Sequence, residues 1–509
     1  MRFRFFNQPY LADKVEIGSD IAIFGKWDAL KSAVTGMKIL AQVEDDMQPV
    51  YRVAQGISQN ALVKAIKAAF EIGAQNWLPE NLPQVLLDKY RLLGRAQATA
   101  AMHFPKDLAE YKQALRRIKF EELFYFQMNL QVLKADNKSE ANGLAIAYDE
   151  QKVADKIAAL PFTLTGGQRR SLDDILADMR SGGHMNRLLQ GDVGSGKTVV
   201  ASLAMYATYT AGFQSALMVP TEILAEQHFE SLTQLFPALS IAILTSGMKT
   251  AAKQVALSAI ADGSVDMIVG THALIQDAVT YHRLGLVITD EQHRFGVNQR
   301  RVFREKGENP DVLMMTATPI PRTLAITAFG EMDVSIIDEL PAGRKPIITR
   351  WVKHEQLEVV LDWVKKELQK GAQAYVISPL IEESESLDLK NAVALHEELS
   401  AYFADSATVA LMHGRMKNDV KRSYHARFQG TKSQVLVSTT VIEVGVNVPN
   451  ATIMIIMDAD RFGLSQLHQL RGRVGRGDKQ SYAILVANPK TQTGKERMKI
   501  MTETTDGLF

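Results

Sequence analysis

The chain has no cysteine among its 509 residues. Disulfides and thiolate metal sites are therefore excluded, and a cytoplasmic location fits. It also lacks any run of about eighteen apolar residues, the length needed to cross a bilayer, so no membrane span is expected. The opening Met1-Arg-Phe-Arg-Phe-Phe-Asn has no apolar segment with a small-residue cleavage site, and a secretory leader is not expected. Low-complexity tracts and short-period repeats are missing too. So is an excess of charge of one sign: the formal net charge is +1, which leaves the partners open, because only a contact surface has to match phosphate charge. What is there is the composition of an ordinary globular protein, 46% hydrophobic and 23% charged, in a chain long enough for roughly three or four domains.

Four segments differ in patterning. Residues 1–55 hold short β-like stretches such as Ile21-Ala-Ile-Phe24, interrupted by Gly18, Gly25 and Gly36. Residues 56–154 read as helical, in Ala-, Leu-, Lys- and Glu-rich runs broken at Pro79, Pro83 and Pro105. From residue 155 onward apolar strands alternate with amphipathic helices, the pattern of parallel sheets with crossover helices. That alternation occurs twice. Strands are expected at 215–220, 265–270, 284–290 and 312–316 within 155–345, and at 374–378, 409–412, 435–438, 453–457 and 482–486 within 346–509. Continuous apolar runs of this kind suit strands buried on both faces. Pro341-Ala-Gly-Arg-Lys-Pro346 is the natural joint between the two segments.

Gly191-Asp-Val-Gly-Ser-Gly-Lys-Thr198 has the pattern of a phosphate-binding loop, between a candidate strand at 185–190 and a candidate helix starting at Thr198. Glycines let backbone N–H groups approach phosphate oxygens, and the helix N-terminus adds a favourable dipole. Gly191, Asp192, Val193, Gly194, Ser195, Gly196, Lys197 and Thr198 are thus the candidate nucleotide contacts, Lys197 for the β- and γ-phosphates and the Thr198 hydroxyl for Mg2+. Asp290-Glu-Gln-His293 follows an apolar strand, which places both carboxylates where α/β sheets bind ligands. Asp290 is the second expected magnesium ligand, and Glu291 the base that orients and deprotonates water. The acidic pair by itself also reads as a solvated turn, and the upstream loop is what favours the catalytic reading.

Further on, Gln466-Leu-His-Gln-Leu-Arg-Gly-Arg-Val-Gly-Arg-Gly477 puts Arg471, Arg473 and Arg476 on a short glycine-spaced segment. Arginine keeps its charge and forks onto phosphate oxygens, so Arg473 and Arg476 are candidate arginine fingers, with a phosphate-binding patch for nucleic acid as the other reading.

Taken in order, Gln168, residues 191–198, residues 290–293, Thr316-Ala-Thr318 and Gln469 to Arg476 resemble the motifs of superfamily 2 helicases. Longer strings resemble the RecG family: Asp290-Glu-Gln-His-Arg-Phe-Gly-Val297, Thr316-Ala-Thr-Pro-Ile-Pro-Arg-Thr-Leu324 and Arg461-Phe-Gly-Leu-Ser-Gln-Leu-His-Gln-Leu-Arg-Gly-Arg-Val-Gly-Arg476. The translocase module of a transcription-repair coupling factor shares the Thr-Ala-Thr-Pro-Ile-Pro-Arg-Thr string and is the nearest rival. The resemblance implies an α/β fold with two RecA-like parallel-sheet lobes, 155–345 and 346–509, preceded by a partial OB-type β wedge domain, 1–55, and a helical connector, 56–154. It implies an ATP-dependent motor acting on stalled forks and four-way (Holliday) junctions in recombination and repair, through fork reversal and branch migration, as a monomer on DNA. Gln469, Arg473 and Arg476 then join Lys197, Asp290 and Glu291 as catalytic candidates.

By the same resemblance Phe162 and Gln168 match the adenine-recognition segment, where an amide suits adenine's donor–acceptor edge. Pro220, Thr221, Gly270, Thr271, Thr439 and Thr440 match segments that contact strand phosphates, although such residues also make ordinary strand-end turns. Phe6 and Tyr10 sit at the wedge positions whose aromatics stack on bases, with a buried barrel core as their other reading. The family has more sequence before its wedge and a helical hairpin after its last motif, so the expectation is a fragment that binds ATP but couples hydrolysis poorly to translocation.

Overall fold

Among the described residues, two of the three β-sheets are built mainly of apolar strands, and such strands need cover on both faces. A computed structural model describes residues 2–4, 22–28, 33–40, 49–53, 56–139, 143–290, 306–307, 309–317, 332–341, 345–379, 385–414, 416, 418–439, 448–475, 477 and 479–504. The chain separates into two compact units, Met1–Asn129 and Leu130–Phe509.

In the first unit β1 (Arg2–Arg4), β2 (Ala22–Asp28) and β3 (Ala33–Leu40) form a sheet in the order β1-β3-β2. Helices follow at Gln59–Glu71, Gln84–Tyr90 and Arg95–His103, and the long helix Leu108–Ser139 crosses the division between the units. Pro83 is the N-cap of the second helix, a position that needs no N–H donor. Arg117 is fully buried here and pairs with Glu80 (2.6 Å) and Glu121 (2.5 Å). Both partners are needed, because a buried guanidinium without them would keep its desolvation cost.

The second unit holds two parallel sheets. The first lobe has β4 (Asn186–Gly191), β5 (Gln214–Met218), β6 (Ile241–Leu244), β7 (Met267–Gly270), β8 (Leu284–Asp290), β9 (Asp311–Thr316) and β10 (Asp333–Ile337), in the order β10-β4-β9-β8-β5-β7-β6. The second lobe has β11 (Ile348–Val352), β12 (Gln373–Ile377), β13 (Val409–Met412), β14 (Val435–Ser438), β15 (Ala451–Met457) and β16 (Tyr482–Val486), in the order β11-β16-β15-β12-β14-β13. All the expected strands of both lobes are present, within a few residues of the ranges read from the sequence. β6, β10 and β11 fall outside those ranges, and all three are edge strands.

One buried acid lies at the N-terminal end of β9. Asp311 is fully buried; its Oδ1 accepts from Met185 N (2.8 Å), and Oδ2 has no hydrogen-bond partner among the described residues. Burial pushes this carboxyl well above its ordinary range; the Met185 N–H offsets part of that, and the nearby charge of Asp178 adds to it. A raised carboxyl is protonated in the fold over a range where the unfolded chain ionises. Its stability is therefore intact below about pH 4, the unfolded value, and is lost as pH rises through the folded value. Asp311→Asn keeps the acceptor and removes the charge. Its melting temperature should exceed that of the unaltered protein by a margin that grows as pH rises above about pH 4. A margin that shrinks with pH would contradict the assignment.

Candidate nucleotide and nucleic-acid sites

Parallel pairing sets the C-terminal ends of β4, β9 and β8 level. Gln190 lies beside Thr316 and Met315 beside Asp290, so the phosphate loop, Thr316 and the acidic strand end share one edge of the first lobe. The loop leaves β4 at Gly191 and enters the helix Lys197–Thr210. Gly194 and Gly196 have φ of +80° and +92°, a region that side chains with a Cβ rarely enter. A Cβ on Gly196 would also collide with the Gln168 amide.

Lys197 Nζ donates to the carbonyls of Gly191 (2.6 Å) and Asp192 (2.9 Å), which holds the lysine over the loop. Ser195 Oγ is buried with no hydrogen-bond partner among the described residues. A backbone cradle closed by two glycines, an ammonium laid over it and a buried hydroxyl left unpaired fits a phosphate chain.

Asp290, at the end of β8, lies 3.7 Å from His228 Nε2. Burial pushes its carboxyl up, but His228 and the charges of Lys197 and Arg473 outweigh that and hold it below the ordinary range, ionised as a cation ligand must be. Thr198 follows Lys197 in the same helix turn. Glu291 and Arg476 lie outside the described residues.

Gln168 reaches the loop from the helix Gly166–Arg180. It forms a capping box with Thr165, its Oε1 accepting from Thr165 N (2.9 Å), while its Nε2 donates to Ser195 O (2.7 Å). Its amide is thus engaged within the protein on both sides, and it ties the start of this helix to the phosphate loop. Phe162 is 47% exposed, so part of its surface is available to a ligand.

The second lobe meets the loop through the helix Leu464–Arg471 and the glycine after it. His468 Nε2 lies 3.0 Å from Asp192 Oδ1, and a Cβ on Gly472 would lie 2.7 Å from Val193 Cβ. Burial pushes the Asp192 carboxyl up, while the His468 hydrogen bond and the charges of Lys197 and Arg471 bring it below the ordinary range. Gln469 is half-buried on the same helix.

A cavity of about 370 Å3 lies between the lobes and is lined in part by Pro220, Thr221, Thr271, His272, Lys421 and Arg422. Thr221 caps the helix Glu222–Leu235, its Oγ1 accepting from Leu224 N (3.3 Å). Arg422 reaches Glu226 (2.7 Å) and Glu222 (3.2 Å) of the first lobe. Gly270 ends β7 next to Thr271, and Thr439 is buried just past β14, outside the lining of this cavity. Thr440, Phe6 and Tyr10 lie outside the described residues. Lys421 and Arg422 are absent from the sequence-derived candidates. Their only signal is a cationic pair on an otherwise polar helix, Asn418–Gln429.

Two parallel-sheet lobes, one with a phosphate loop level with an acidic strand end and the other with His468 and Arg471 beside that loop, define a two-lobed helicase-type ATPase. Residues 165–326 match the DEAD/DEAH box helicase family, and residues 354–478 the helicase conserved C-terminal domain. The ATP-dependent DNA helicase RecG of Streptococcus pneumoniae is 71% identical over 99% of this chain and 75% of its own length. That of Bacillus subtilis is 52% identical over 99% of this chain and 74% of its own. A solved RecG bound to a three-way DNA junction matches with a TM-score of 0.72 at 38% identity, over 99% of this chain and 68% of that one. The chain belongs to the RecG family of ATP-dependent DNA helicases.

Proposed function

We propose that this chain is an ATP-driven DNA translocase that acts on branched DNA, forks and four-way junctions, and drives fork reversal and branch migration. The observation that carries the motor is the contact of the second lobe with the tip of the phosphate loop, which lets nucleotide occupancy bias the lobe arrangement. The branched substrate is supported by the likeness to a RecG bound to a three-way DNA junction. A division into a wedge domain (1–55), a helical connector (56–154) and two lobes (155–345 and 346–509) belongs to the same reading.

In this reading the loop N–H groups and Lys197 bind the phosphates, and Phe162 stacks on the adenine. Thr198 and Asp290 would hold Mg2+, which when bound neutralises phosphate charge. Glu291 takes the proton from water, and Arg473 and Arg476 reach in from the second lobe. Thr221, Thr271 and Lys421 position the DNA backbone without reading bases.

The test is ATP turnover measured with single-stranded, duplex, forked and four-way DNA. Forked and four-way DNA should stimulate most; equal rates on all four would remove the branched-DNA reading. Stimulation by none would remove the translocase reading. DNA affinity should also fall steeply with salt, and Lys421→Ala should reduce the slope of log K against log salt by about 1. An unchanged slope would take Lys421 off the DNA path.

A further inference from the structure

His468 is 6% exposed and joins the two lobes at the phosphate loop. Its Nε2 faces Asp192 Oδ1 at 3.0 Å, and its Nδ1 faces Arg471 Nη2 at 2.9 Å. A guanidinium can only donate, so Nδ1 accepts and the ring proton sits on Nε2, directed at Asp192. One tautomer is therefore selected. Arg471 is itself held, its Nη1 donating to Met501 O (3.1 Å) and Thr504 O (2.7 Å) at the C-terminal end of the helix Gln492–Glu503. Helix C-termini offer unpaired carbonyls and favour cations.

The acceptor is equally well placed. The Asp192 carbonyl takes both Lys197 Nζ (2.9 Å) and Ser195 N (3.0 Å), so the position of residue 192 sets the loop and the lysine together.

We propose that His468 is a positioning residue of the ATPase: it donates Nε2–H to Asp192 and holds the tip of the phosphate loop in its cradle shape when the two lobes are closed. This rests on the nucleotide-site reading above. His468 acts through Asp192 and does not touch the reacting atoms.

The experiment compares kcat and KM for ATP, on the full chain with forked DNA, for His468→Leu and His468→Gln. Leucine keeps bulk without a donor and should lower kcat about tenfold, the scale of one hydrogen bond to a charged group. Binding of a fluorescent ATP analogue without DNA should change by less than about twofold, because the contact acts in the closed arrangement. The glutamine amide can donate from near the Nε2 position and should recover kcat to within about threefold of the unaltered chain. An unchanged kcat in His468→Leu, or a His468→Gln as slow as His468→Leu, would overturn the proposal. Adding Asp192→Ala to His468→Leu should cost less than the product of the two single losses; independent losses overturn it as well. Turnover that survives Lys197→Ala overturns the nucleotide site and this proposal together, whereas loss there with His468→Leu unchanged overturns this proposal alone.

Discussion

Lys197→Ala should lower ATP turnover by at least about a hundredfold, the scale for removing one preorganised group that stabilises developing charge. The lysine touches the carbonyls of its own loop, at 2.6 and 2.9 Å, and the buried Asp290 carboxylate that its charge helps to hold keeps His228 and Arg473 when it is removed. Residue 197 is also the first residue of the helix Lys197–Thr210, where alanine is an excellent helix former. The fold should therefore survive, and the loss reports chemistry. Steady-state turnover with forked DNA, alongside a thermal melt, checks this. A variant within about tenfold of the unaltered rate would show that the loop is not the site of hydrolysis.

Arg473→Ala should lower kcat by about a thousandfold, the lower end of what arginine fingers contribute in NTPases. Arg473 follows Gly472, whose missing Cβ lets this segment approach Val193 of the loop. Its charge acts on Asp290 across the lobe boundary, helping to offset the burial that pushes that carboxyl up. Lysine should not restore the rate, because a point charge lacks the planar fork that grips phosphate oxygens. The competing role, a phosphate patch on DNA, makes a different prediction: weaker DNA binding with kcat intact at saturating DNA. Turnover and DNA affinity measured on one preparation separate the two.

Legibility from sequence follows burial. Strands covered on both faces stand out as apolar runs, as in Leu284–Asp290 and Tyr482–Val486. The strands that do not, Ile241–Leu244, Asp333–Ile337 and Ile348–Val352, lie at sheet edges. There one side is open, and the last of them alternates exposed and half-buried residues instead of running apolar. Lys421 and Arg422 are illegible for a related reason: a cationic pair on a polar helix looks like any solvated face until the opposite wall of the cavity is known.

The sequence by itself determined the ordered motifs, the phosphate loop and the two rounds of strand and helix, because each is written in neighbours a few residues apart. Only the tertiary structure decided what meets across the lobes. Asp192 and His468 are 276 residues apart, and Glu222 and Arg422 are 200 apart. No local periodicity encodes such pairs. They exist because two separately covered sheets present their strand ends to each other, and packing then selects which side chains touch.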